Sequence, residues 1–278
     1  MKSRILCGFT LDRPRIMGIL NVTPDSFSDG GQFVALDAAV AYARAMKEAG
    51  ADFIDVGGES TRPGAEEIPV DEECARVIPV IERLVGEGLG PVSIDTRKAL
   101  VMTAAARAGA ALINDVTALT FDEGALAAAA QSGLPVVLMH AQGDPKTMQK
   151  NPHYDDVVGE VRDYLAARIA ACEVVGIPRE KIVIDPGIGF GKTLEHNLAL
   201  MANLDRFDDL GCPLLLGASR KSFIQKIDES AGPADRIGGS LAAVAAGLSA
   251  GVKLFRVHDV VETSQFIRVS LEIMCNRK

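Results

Sequence analysis

Asp95, Asn114 and Asp185 each close a short, largely apolar run: VSI before Asp95, LI before Asn114 and IVI before Asp185. A carboxylate offers only acceptors, whereas a carboxamide offers both a donor and an acceptor. Brought together, the three suit the edge of a flat amino-oxo heterocycle such as a pterin or a guanine. Taken singly, each reads more plainly as a strand-end cap or turn former, where Asp and Asn are common. Their expected convergence at one place shifts the balance toward a ligand.

A second group is cationic. Arg256 and His258 flank Val257, so the period of two along a strand puts both on one side. A helix expected from about residue 259 adds the partial positive charge of its N-terminus. Ser219, Arg220, Lys221 and Ser222 contribute two further cations. The chain carries 29 Lys and Arg against 37 Asp and Glu, a net charge of −8. Four neighbouring basic groups in so acidic a chain point to a local anion site; pairing with Asp259 or Glu262 is the competing expectation.

The nine residues from Asp185 to Thr193, DPGIGFGKT, invite a nucleotide reading that their spacing rejects. A Walker loop needs glycine at position 186, where Pro186 stands, and a dinucleotide fingerprint begun at Gly187 needs glycine where Lys192 stands. Two early segments, 21–31 and 57–65, combine Gly, Pro, Ser and Thr with charges. They are long enough to fold over a site, and loops of this kind often carry function. His140 ends an apolar run and reads as a satisfied core histidine with no catalytic role. His153 and His196 fall on segments expected at the surface, and no H-E-x-x-H spacing exists, so a zinc site is not expected.

These residues need a frame. Apolar, β-branched runs recur at 16–20, 53–56, 92–94, 112–113, 136–139, 182–184, 214–216 and 254–257, the pattern of strands buried on both faces. Between and after them lie eight helical stretches: 36–49, 70–86, 99–108, 123–132, 154–175, 194–204, 239–250 and 260–274. Ile78, Ile81 and Leu84, or Leu165, Ile169 and Cys172, show the spacing of an amphipathic helix. Eight strands alternating with eight helices predict a parallel sheet closed into a (β/α)8 TIM barrel, a single domain over residues 1–278. Every run ends in polar or ionisable groups, while the segments entering the strands are bland. Barrel active sites are assembled from the carboxyl ends of the strands, so one polar mouth fed by all eight strands is expected.

Length and composition agree. At 278 residues with 48% hydrophobic and 24% charged residues, the chain supports a large core and excludes disordered and disulfide-scaffold classes. Its negative charge disfavours nucleic acid and anionic lipid as partners. Five scattered cysteines with no C-x-x-C spacing read as reduced thiols, and no signal-peptide or membrane-spanning segment is recognised, so a cytoplasmic protein is expected.

At 21–31, 57–65, 93–97, 113–116, 185–192, 219–221 and 256–258, in order and spacing, the sequence resembles the dihydropteroate synthase family. The resemblance covers essentially the whole chain. It implies a (β/α)8 barrel that joins p-aminobenzoate to the methylene carbon of 6-hydroxymethyl-7,8-dihydropterin diphosphate, releasing diphosphate. By resemblance, Asp95, Asn114 and Asp185 hold the pterin, with Lys221 near its oxo edge. Asn21 would coordinate Mg2+, and Arg256 and His258 would grip the diphosphate. Thr61 and Arg62 belong to the second loop; Pro63, Phe190 and Ser222 would border the aminobenzoate. Asp29, in the first loop, is the candidate for orienting the amine and accepting its proton. A homodimer is implied as well. Two competitors stand beside this reading. A pterin-dependent methyltransferase has no need of a diphosphate grip, and Arg256, His258, Lys221 and Asn21 together speak against it. A pterin binder without turnover is separated only by assay.

Overall fold

A computed structural model describes residues 4–22, 31–60, 64–143 and 148–276, with 31–34 described by their helix alone. Ahead of the barrel stands a small antiparallel hairpin, β1 (Ile5–Leu6) and β2 (Phe9–Thr10). Its two-residue turn, Cys7 and Gly8, has both φ angles positive, 47° and 85°, as a tight primed turn requires. The barrel itself runs β3 (Arg15–Asn21), α1 (Gly31–Ala49), β4 (Phe53–Gly57), α2 (Val70–Gly86), β5 (Val92–Asp95), α3 (Ala99–Arg107), β6 (Leu112–Asp115), α4 (Ala125–Ser132), β7 (Val136–Met139) and α5 (Val157–Val174). It continues through β8 (Ile182–Asp185), α6 (Leu194–Ala202), β9 (Leu215–Leu216), α7 (Phe223–Ile227), α8 (Ile237–Ser249), β10 (Leu254–Val257) and α9 (Val260–Cys275).

All eight expected strands form, and they pair in parallel in the order β8-β7-β6-β5-β4-β3-β10-β9. A single parallel bridge between Ile184 and Leu214 brings the two ends of the sheet together, which gives the (β/α)8 barrel. The eight expected helices also form, with ends shifted by up to five residues, and α7 is an extra turn of helix after β9.

Alternation along each strand sorts the side chains into two cores. Outward residues such as Ile54, Val56, Ile94, Ile113 and Ile184 pack under the helices. Inward, Met17, Phe53, Leu112, Val137, Val183, Leu215 and Leu254 form one apolar layer across the barrel. Leu6 and Leu11 from the hairpin segment belong to the same cluster and seal it from below. Each such side chain contributes roughly 1.5–3 kcal/mol by leaving water. The hairpin went unread in the sequence because two-residue strands are too short to show a period.

Candidate active site

Two residues further along the inward face, the chemistry changes. Phe53 is followed by Asp55, Leu112 by Asn114, Val183 by Asp185, and Leu254 by Arg256. The period of two therefore sets a polar layer directly above the apolar one. Sheet register aligns it further: Asn21, Gly57, Asp95 and Asn114 are consecutive partners across β3, β4, β5 and β6. Gly57 keeps this row open. A Cβ there would sit 3.5 Å from the Asp95 Cβ and 3.8 Å from the Asn21 Oδ1. Gly217 does the same on the far side, where a Cβ would meet Asp185 Oδ2 at 3.5 Å and Arg256 Cβ at 4.0 Å. Asp95, Asn114, Asp185 and Arg256 thus face one mouth.

Arg256 organises the floor. Its Nε donates to Asp55 Oδ2 and its Nη2 to Asp95 Oδ2, both at 2.6 Å. The Asn114 amide donates to the same Asp55 oxygen at 3.1 Å, which turns its nitrogen toward β4. Asp55 is wholly buried, yet its Oδ1 finds no hydrogen-bond partner among the described residues, nor does Ser93 Oγ beside it in register. Unsatisfied buried acceptors are costly, so this floor has capacity left for a bound group. Asp55 was invisible in the sequence because it lies inside a run, between Ile54 and Val56, rather than at its end.

Burial dominates the ionisation of these carboxyls. Asp95 is pushed up to about 7 by desolvation, against the pull of Arg256 and with Asp55, Asp115 and Glu73 pushing the same way as burial. Asp185 is raised to about 6 by desolvation, opposed by the Gly187 N–H and by Lys221, Arg256 and Lys192. Asp115 faces outward from the row. Its carboxylate accepts from Thr117 N, Thr117 Oγ1 and Leu119 N and shapes its own turn.

The segment after β8 is folded tightly against β7. Gly187 has φ of 70°, and a Cβ there would lie 1.9 Å from the His140 carbonyl oxygen, so only glycine fits. Gly187 N also donates to Asp185 Oδ1 at 2.7 Å. The segment ends in a capping box, where Thr193 and His196 exchange hydrogen bonds at the start of α6. Between these points Phe190 presents its ring to Lys221, whose Nζ stands 3.9 Å above it. Ser222 is exposed just beyond. His140 is buried, with its Nδ1 2.9 Å from Lys192 Nζ.

The expected cluster of four cations is smaller than the sequence suggested. Arg220 pairs through Nε and Nη2 with both oxygens of Asp259, so for this residue the competing expectation holds. Arg256 is bonded to Asp55 and Asp95 rather than to any outer group. His258 is fixed by Ser219, whose Oγ lies 3.1 Å from Nδ1 and accepts from the His258 N–H. It stands between the end of β10, which pairs with β3, and the N-terminus of α9.

Asp29, Thr61, Arg62 and Pro63 lie outside the described residues. The two feet of the second loop are described, and a buried ion cluster absent from the sequence reading joins them. Lys98 Nζ bonds Glu59 Oε2 at 2.6 Å, Glu73 Oε2 at 2.7 Å and the Ile68 carbonyl at 2.7 Å. Arg97 holds the other Glu59 oxygen at 2.8 Å and covers the Phe121 ring. Among the described residues, no group of three or more His, Cys, Asp or Glu could hold a metal, and no helix is long and apolar enough to cross a membrane.

Comparison with known proteins gives one consistent result. The model of a family described as pterin binding enzyme matches residues 17–258. The dihydropteroate synthase of Escherichia coli K12 is 52% identical over 259 residues, covering 93% of this chain and 91% of that one. The enzyme of that name from Synechocystis is 45% identical over 258 residues, covering 93% and 89%. Among solved structures, Xanthomonas albilineans dihydropteroate synthase with 4-aminobenzoic acid superposes with a TM-score of 0.92 at 50% identity, covering 98% and 99% of the two chains. The same organism's enzyme in complex with 7,8-dihydropteroate gives 0.86 at 48% identity, covering 96% and 95%.

Proposed function

Because the chain belongs to the pterin-binding enzymes and, within them, to the dihydropteroate synthases, we propose a division of labour in which its barrel mouth holds the pterin and its rim holds the diphosphate and the aryl amine. The reaction is a transfer. The methylene C–O bond to diphosphate breaks, a C–N bond to p-aminobenzoate forms, and the amine gives up a proton. The observation that carries the assignment of the pterin is the polar layer itself. Asp95 and Asn114 lie side by side in register, and Asp185 faces Arg256 across Gly217. Acceptors placed over a buried, cation-backed floor fit a ring edge rich in N–H groups.

An aryl amine is a weak nucleophile, so the protein must favour departure of the leaving group. Charge developing on diphosphate is met by preorganised positive groups, which need no reorganisation as the bond breaks. His258, held by Ser219, and the N-terminus of α9 supply this at the end of β10. Arg256 joins them when the ring takes over the acceptors of Asp95 and its Nη2 is released. Phe190 offers a flat face to the aminobenzoate, Lys221 stands by for the oxo edge of the pterin, and Ser222 for the aminobenzoate carboxylate. Thr61 and Arg62 of the second loop, Pro63 as a border of the aminobenzoate and Asp29 as acceptor of the amine proton rest on the family resemblance, since all four lie outside the described residues.

Mg2+ is the fitting cofactor. The ion takes oxygen ligands, keeps several waters and is held by few protein groups plus substrate phosphates. Asn21 provides one neutral amide oxygen at the rim, which suits an ion shared with diphosphate rather than caged by the protein. When bound, it would draw charge from the leaving oxygens. A homodimer is supported by an apolar groove of about 480 Å³ along α6, α7 and α8, lined by Met201, Phe223 and Ala243, with Leu198 and Ile227 exposed on it.

The test is direct. Supplied with pterin diphosphate, p-aminobenzoate and Mg2+, the protein should yield dihydropteroate and diphosphate in equal amounts. Tight pterin binding without product would overturn the assignment in favour of a silent binder.

A further inference from the structure

Lys192 is only 1% exposed, one of the largest side chains fully enclosed by the protein. Its amine reaches the His140 Nδ1 at 2.9 Å, the Phe190 carbonyl at 3.0 Å and the His140 carbonyl at 3.4 Å. All three partners are neutral acceptors or can be. Enclosing an ammonium group this way is expensive, and a methionine would fill the same space without the penalty. Something other than packing accounts for a lysine here.

Its bonds say what. The segment 187–191 is fastened at most of its backbone polar atoms. Gln149 Nε2 donates to the Gly189 carbonyl at 2.6 Å, Tyr154 Oη to the Gly191 carbonyl at 2.9 Å, and Gly189 N donates to Asn197 Oδ1 at 2.7 Å. Of these fasteners, only Lys192 takes the carbonyl of Phe190 itself, and it ties that carbonyl to the end of β7. The Phe190 ring in turn underlies Lys221 Nζ at 3.9 Å. The Lys221 stem lies along Gly189, where a Cβ would come within 3.1 Å of its Cδ. Platform and lysine stem are therefore packed against one another.

We infer that Lys192 is a positioning residue, which fixes the Phe190 carbonyl from within the protein and thereby sets the Phe190 ring against the incoming aryl amine. This rests on the reading of Phe190 given under Proposed function. The hold survives a change of charge. As an ammonium, Lys192 donates to all three acceptors. As a free amine, it donates to the two carbonyls and accepts from an Nδ1–H tautomer of His140. Such tolerance matters because burial lowers Lys192 to about 7, with Asp185 raising it and Lys221 lowering it further. His140 is held down to about 3 by burial and by Lys192.

The experiment compares wild type with Lys192→Met and Lys192→Gln. For Lys192→Met, KM for p-aminobenzoate should rise about tenfold, with the Kd for pterin diphosphate shifted no more than about threefold. The melting temperature should not fall, since a buried charge has been removed, and amide hydrogen exchange over 187–191 should quicken. Lys192→Gln, which keeps a donor, should recover most of the KM. Equal losses for both substrates, an unchanged KM, unchanged exchange or a chain that no longer folds would each overturn the inference. Exchange is read without turnover. An inactive wild type would therefore refute the proposed function while leaving this question to be decided by the exchange data.

Discussion

Asp95 sits where the protein disfavours its charge, and the pterin proposed for this mouth would need it. Its carboxyl is raised from 3.8 to about 7 chiefly by desolvation, so the folded chain binds this proton more tightly than the unfolded chain does. The stability it contributes is therefore full below about pH 4 and is lost as pH rises through 7. Asp95→Asn should leave the melting temperature at pH 8 equal to or above wild type, with the difference shrinking toward pH 5. Pterin affinity should meanwhile fall about tenfold or more, because an acceptor-only group has been replaced; calorimetry across that range reads both. Arg256 behaves in the opposite way. Its removal leaves Asp55, wholly buried, without its cation, so Arg256→Ala should lose about 3 kcal/mol in urea unfolding. It should also weaken the diphosphate-bearing pterin much more than the free hydroxymethylpterin. Equal weakening of the two would remove Arg256 from the anion site.

The segments that join strands to helices carry the tightest constraints on sequence, and a pair of glycines separates conformation from crowding. Gly187 and Gly133 have nearly the same φ, 70° and 67°, but a Cβ at Gly187 would strike the His140 carbonyl while one at Gly133 meets nothing within 4 Å. Gly133→Ala should cost about 1 kcal/mol from backbone strain alone. Gly187→Ala should cost several times that and abolish turnover, measured by unfolding and by product release. Strands and helices were legible in the sequence because burial on both faces writes continuous apolar runs and amphipathic spacing. Asp95, Asn114 and Asp185 were legible because each ends such a run. Asp55 and Lys192 were not. One is embedded among apolar neighbours and the other lies in a glycine-rich segment, and only the register of the barrel and the fold of that segment reveal what they touch.

At the scale of the molecule, the barrel divides its duties between its ends. The mouth gathers the carboxyls of Asp55, Asp95 and Asp185 around Arg256, while the opposite end is closed by Leu6 and Leu11 against the apolar layer. Leu6→Ala should therefore lower stability by about 2–5 kcal/mol and leave kcat at 25 °C within about twofold, since function at this fold's mouth is separate from stability at its base. Loss of activity in a chain that remains folded would contradict this separation. For the groove along α6, α7 and α8, Ile227→Glu should halve the mass seen by analytical ultracentrifugation if the homodimer forms there. The hairpin that forms the plug has one further consequence. Its leucines share a cluster with Leu254 of β10, and β10 also pairs with β3. During synthesis on the ribosome, Leu6 and Leu11 meet Met17 and Phe53 early but must wait until Leu254 has emerged before their cluster is complete. Closure of the ring is accordingly a late, long-range event, and a truncated nascent chain exposes an oily base that makes it prey to chaperones and aggregation.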